Sequence, residues 1–75
     1  MDYHGELDAT GLLCPLPVLK VRKRLKSLLT LQILKVIADD PAAIVDVPHF
    51  CNEQGHKLLD NQKINDKLIF FIQKN

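Results

Sequence analysis

The chain has no tryptophan, one methionine, three glycines and only two cysteines. Cys14 and Cys51 lie far apart in 75 residues, which excludes the disulfide framework of a small secreted domain and leaves free thiols. A dominant charge is also missing. Lys+Arg 10 against Asp+Glu 9 give a formal net charge of +1, short of the bulk positive charge of a sequence-blind nucleic-acid binder. The longest apolar runs are a few residues, too short to span a bilayer, so no membrane partner is expected. Met1-Asp2-Tyr3-His4 lacks the basic and then apolar pattern of a signal peptide, and a cytoplasmic location is the expectation. Repeats, linkers and low-complexity tracts are absent. A chain of this size supports one small core, so a single domain over 1–75 is expected.

What is present reads as alternating strands and helices. Glu6 to Ala9 is a short extended segment ending at the turn signal Thr10-Gly11. From Cys14 to Leu29 the apolar residues Val18, Val21, Leu25 and Leu28 recur at helical spacing, with Lys20, Arg22, Lys23, Arg24 and Lys26 on the other side. Leu31 to Ala38 is a branched aliphatic run that suits a buried central strand passing under the helices. A second helical region opens at Asp40-Pro41 and again at Asp46-Val47-Pro48, and closes at Gly55. Pro48 predicts an irregular turn at 41–45 followed by a helix from 47 to 54, or else a kink. His56 to Asp60 and Lys67 to Ile72 read as a hairpin whose polar link ends at Asn65-Asp66. The order βαβαββ predicts an α/β two-layer sandwich, a four-stranded mixed sheet with two helices on one face.

Cys14-Pro15-Leu16-Pro17 stands where a loop meets the first helix. Proline holds the residue before it in extended conformation and is favoured at the first helical position, so Cys14 is predicted as the N-cap. There its sulfur would meet the positive end of the helix and approach the Leu16 amide, with Lys20 and later basic residues adding to the potential, all favouring thiolate. Pro17 also disfavours helical angles for Leu16, which allows the cap at Leu16 and Cys14 one step further out. On spacing alone, Cys14 is either such a reactive thiol or a small buried hydrophobe.

Thr10-Gly11-Leu12-Leu13-Cys14-Pro15-Leu16-Pro17-Val18, preceded by Leu7-Asp8-Ala9, resembles the signature of the TusA/SirA-like sulfur carrier family, marked by Cys-Pro-x-Pro. Ala38-Asp39-Asp40-Pro41-Ala42, with Asp46-Val47-Pro48-His49-Phe50-Cys51 after it, resembles the family's second block. The resemblance implies the same βαβαββ sandwich and a cysteine, by position Cys14, that carries sulfur as a persulfide, with Pro15, Leu16 and Pro17 shaping its surroundings. It implies a cysteine desulfurase or rhodanese-like protein as donor and an acceptor protein downstream, in one branch toward 2-thiouridine in tRNA. No cofactor or metal is implied, and the protein acts as a carrier and not as a stand-alone enzyme. Lys20, Arg22, Lys23 and Arg24 are candidates to meet acidic patches on partners, or else form a solvated helix face. One departure stands out: the family carries a Pro/Gly turn between first helix and second strand, whereas Leu28-Leu29-Thr30-Leu31-Gln32 has neither residue.

Other residues suggest less. Cys51, inside the second helix, reads as core packing over a resolving thiol, and pairing with Cys14 requires Cα atoms within about 7 Å. His49 and Cys51, two apart on a helix, face different ways and do not make a metal site. Asp39 and Asp40 read as caps over an acid/base pair. Phe70 and Phe71 point to opposite sheet faces, a thin surface for stacking RNA, so no stable nucleic-acid binding is expected. The alternatives to a carrier are a thiol-redox or regulatory binding module, or a small RNA-binding module.

Overall fold

Leu34, Val36 and Ala38 are buried while Ile33, Lys35 and Ile37 between them are half-buried, the period-2 signature of a strand with one face on a core. This strand, β2 (Ile33–Ala38), is central, as expected. In the computed structural model, which describes residues 2–75, it follows β1 (Gly5–Asp8) and α1 (Leu16–Lys26). After it come α2 (Ala43–Gln54), β3 (Lys57–Ile64) and β4 (Lys67–Gln73). The sheet order is β1-β2-β4-β3, with β1 parallel to β2 and the other neighbours antiparallel. The result is the expected mixed four-stranded sheet with two helices on one face.

The two layers meet through Val21 and Leu25 of α1, Val47, Phe50 and Cys51 of α2, and Leu34, Val36, Phe70 and Ile72 of the sheet. Each fully buried aliphatic or aromatic side chain contributes about 1.5–3 kcal/mol, which makes this interface the main source of stability. Phe70 lies in it. Phe71 faces the opposite side of the sheet, where its ring lies 6.1 Å from that of Tyr3.

β1 and β2 shift by one or two residues, to Gly5–Asp8 and Ile33–Ala38 from the expected Glu6–Ala9 and Leu31–Ala38, and three boundaries differ more consequentially. Helix α2 runs unbroken through Pro48 from Ala43, four residues ahead of the predicted start at 47. Its entry is tight: Ala43, Ile44 and Val45 donate to carbonyls three residues back, Asp40, Pro41 and Ala42, before Asp46 makes the first four-residue step to Ala42. The irregular turn at 41–45 is therefore the first turn of the helix itself, and Pro48 costs only the bond to the Ile44 carbonyl. Strand β3 continues through the polar residues to Ile64, with a register shift between Leu58 and Asp60; as an edge strand it tolerates that polarity. Asn65, at φ 58°, makes the hairpin turn.

Helix α1 ends at Lys26, short of the expected Leu29. Ser27 Oγ donates to the Arg24 carbonyl at 2.7 Å, and the chain turns through Leu31 at φ 72°. A left-handed leucine stands where the family resemblance implies a turn with proline or glycine. Gly55, at φ 76°, closes α2 as predicted.

Candidate functional site

Two adjacent aspartates build the site from a distance. The loop between β1 and α1 begins with a local turn in which Asp8 Oδ1 accepts from the Thr10 amide at 3.0 Å and the Thr10 hydroxyl at 2.6 Å. Gly11, at φ 79°, then donates its amide to Asp39 Oδ1 at 2.9 Å. Cys14 donates its amide to Asp40 Oδ2 at 2.7 Å. The other Asp40 oxygen, Oδ1, accepts from Ala42 at 3.1 Å at the start of α2. The N-cap of α2 is Ala42, with no side-chain cap, so neither aspartate caps the helix as expected; Asp40 closes the turn before it, and each aspartate pins a backbone amide of the cysteine loop.

Cys14 is exposed and stands one residue outside α1, whose N-cap is Pro15 at φ −96°, ψ 12°. The Cys14–Pro15 peptide bond is cis. Neither predicted cap, Cys14 or Leu16, is the residue found. The Leu16 amide expected to approach the sulfur instead donates to the Leu13 carbonyl at 2.9 Å. Pro17, in the first turn of the helix, is buried and anchors this end to the core, while Leu16 is exposed.

The electrostatics also run against the sequence expectation. The Cys14 thiol is held above its ordinary pKa, first by its hydrogen bond to the Asp46 side chain, then by desolvation, then by the charges of Asp46 and Asp40. Carboxylates face the sulfur where basic residues were expected to, so its resting form is the thiol. Asp46 was read as a helix cap; because α2 begins earlier, it falls inside the helix and turns to Cys14.

Beside the thiol is an open cleft of ≈ 210 Å³, floored by Val18 and Phe50 and walled by Pro15, Asp46, His49 and Glu53. His49 Nε2 lies 2.8 Å from Glu53 Oε1, one helical turn away. The only sign of this pair in the sequence is its four-residue spacing. Leu13, next to Cys14 in the chain, Leu16 and Leu19 of α1 and Val45 of α2 are exposed. Leu16 and Leu19 lie outside the apolar stripe of α1, and that mismatch was the available clue.

The basic candidates are not gathered at the cysteine. Lys20, Arg22 and Lys23 are exposed along α1. Arg22 lines a separate groove with Lys26, His56 and Lys74, and half-buried Arg24 comes up against Gly5 of β1. Cys51 is buried in the core, its thiol pushed up to about 11 by desolvation, and both cysteines are free. Among the described residues no group of three His, Cys, Asp or Glu could hold a metal ion, and no helix is long and apolar enough to cross a membrane.

Comparison with known proteins agrees with this architecture. The fold matches that of a SirA-like protein from Desulfitobacterium hafniense with a TM-score of 0.83, at 21% identity, over 93% of this chain and 96% of that one. The chain is 39% identical over 74 residues to the sulfur carrier protein TusA of Allochromatium vinosum, covering 99% of this chain and 97% of that protein. It is 44% identical over 68 residues to the sulfur carrier protein TusA of Pseudomonas putida, covering 91% and 85%. Residues 5–74 match the family model described as sulfurtransferase TusA. With the Cys-Pro-Leu-Pro loop at the start of α1 and the βαβαββ sandwich behind it, the chain belongs to the TusA family.

Proposed function

We propose that this protein is a cytoplasmic sulfur carrier that takes sulfane sulfur onto Cys14 as a persulfide and relays it to an acceptor protein. The observation that carries the reading is the exposed Cys14 thiol on a loop fixed by Asp40, in a chain of the TusA family. The donor is a cysteine desulfurase or a rhodanese-like protein, and one destination that fits is 2-thiouridine in tRNA.

The residues suggest how each half of the relay proceeds. Cys14 Sγ attacks the terminal sulfur of the donor persulfide, a new S–S bond forms, and the donor cysteine leaves as thiolate. The thiol proton ends on the departing donor thiolate, the stronger base, with the Asp46 carboxylate lining the same cleft. In the second half an acceptor thiolate attacks the terminal sulfur, and Cys14 leaves as thiolate and recovers a proton. Neither half changes the net oxidation state, so no cofactor takes part. A redox pair of Cys14 with Cys51 is not favoured, because Cys51 is enclosed in the core.

The test is transfer of ³⁵S from labelled cysteine through a cysteine desulfurase. Label is expected on wild type and on Cys51→Ala, and none on Cys14→Ser. Label retained by Cys14→Ser would remove the basis of the reading.

A further inference from the structure

Cys14 returns to its resting state only when a proton reaches Sγ. The hydrogen bond to Asp46, then desolvation, then the charges of Asp46 and Asp40 hold this thiol above its ordinary pKa. A sulfur of that basicity departs slowly as thiolate, because thiol exchange is faster the lower the pKa of the leaving thiol. Release of sulfur from a Cys14 persulfide is therefore helped by a group that protonates Sγ as its bond to the outer sulfur breaks. The cleft beside the thiol holds one candidate. Cys14, Asp46, His49 and Glu53 line a single space of ≈ 210 Å³. Asp46 and Glu53 of α2 are carboxylates, α1 contributes Val18 and no charge, and among the described residues no lysine or arginine lines the cleft. Histidine is the side chain that exchanges a proton around neutral pH, and His49 is the one histidine in this lining. It is also held in place. Nε2 lies 2.8 Å from Glu53 Oε1 one helical turn away, which orients the ring and leaves Nδ1 to carry the exchanged proton. An exposed pair of this kind adds little to stability, so helix support alone does not account for its place beside the sulfur.

We propose that His49, oriented by Glu53, is the general acid of the discharge step, passing the proton on Nδ1 to Cys14 Sγ directly or across one water. The inference rests on the sulfur-carrier reading and deepens it. The acceptor thiolate forms a bond to the outer sulfur of the protonated persulfide, and the bond from that sulfur to Sγ breaks. Sγ takes the electron pair and the imidazolium proton, while the outer sulfur leaves on the acceptor with its own hydrogen. Charge balances, since one thiolate and one imidazolium become neutral products, and neutral His49 then recovers a proton from water. The new S–H has Asp46 as its partner, so the step ends on the resting hydrogen bond. Glu53 acts through the imidazole and is a positioning residue.

The test follows discharge alone. Wild type, His49→Ala and Glu53→Gln are loaded with inorganic polysulfide, and the loaded fraction is measured by intact mass. Discharge of the loaded protein to 2-mercaptoethanol, a thiol without charge, is then followed from about pH 5 to about pH 9 as direct return to the reduced mass, with no passage through the mixed disulfide. Dividing the wild-type rate by the variant rate at each pH cancels the titration of the acceptor thiol. The ratio for His49→Ala is expected to be about a hundredfold at the acid end, the low end of what a positioned acid contributes, and to fall toward one at the alkaline end. Added imidazole should restore the rate of His49→Ala at the acid end, and Glu53→Gln should show a smaller ratio with the same pH dependence. A ratio near one throughout, a loss that does not change with pH, or a loss that imidazole fails to restore would overturn the proposal. A wild type that takes up no sulfur from polysulfide would instead sink the carrier reading and this inference with it.

Discussion

Asp40 and Cys14 are joined by a 2.7 Å hydrogen bond from the cysteine amide to one carboxylate oxygen, while the other oxygen accepts from the Ala42 amide at 3.1 Å in the turn that leads into α2. One side chain thus sets the position of the sulfur loop relative to the helix that carries Asp46. Asp40→Ala removes both bonds. Loss of these two hydrogen bonds costs about 1–3 kcal/mol, to be read as a lower urea midpoint at unchanged slope. Sulfur transfer should fall with it, and Asp40→Asn, which keeps one acceptor oxygen for two amide donors, should recover only part of the stability.

Asp46 controls the protonation of Cys14. Its negative charge and hydrogen bond favour the neutral thiol, so the folded pKa lies above the ordinary value and less thiolate is present at neutral pH than in a free cysteine. Asp46→Asn removes the charge, the pKa falls, and the pH profile of iodoacetamide alkylation should move to lower pH. A profile that stays in place would show that Asp46 does not govern the thiol.

Cys51 should behave in the opposite manner to Cys14. It is enclosed by the core with its pKa at about 11, so native protein should take one alkyl group, on Cys14, and take a second on Cys51 only after unfolding. Cys51→Ser places a hydroxyl in that core and should lower stability by about 1–3 kcal/mol.

Leu31 occupies a left-handed conformation at φ 72°, held by its amide to the Lys74 carbonyl at 2.8 Å and by the Leu29 amide to Gln32 Oε1 at 2.8 Å. That conformation costs a non-glycine residue about 1–2 kcal/mol. Leu31→Gly should therefore raise the thermal midpoint, with sulfur transfer unchanged because this turn is at the other end of α1 from Cys14. A lower midpoint would mean that the leucine side chain makes a compensating contact.

How much of this was legible in the sequence depended on the range of the interaction. Local chemistry was readable: the alternation of Leu34, Val36 and Ala38, the stop at Gly55, the turn at Asn65-Asp66 and the proline-bracketed start of α1 each rest on a few neighbouring residues. The surroundings of the sulfur were not. Whether Cys14 meets a helix dipole or a carboxylate depends on where α2 begins, and Pro48 pointed to a start after Asp46. The tight entry through Asp40, Pro41 and Ala42 lets the helix begin earlier and swings Asp46 toward the thiol.

The most direct test of the central claim is the intact mass of the reduced protein after incubation with a cysteine desulfurase and cysteine, with Cys14→Ser alongside. The account predicts that wild type gains the mass of one sulfur atom, that reductant removes it, and that the variant gains nothing. A wild type that stays unmodified with desulfurase and rhodanese-like donors alike, or a variant that gains the same mass, would contradict it.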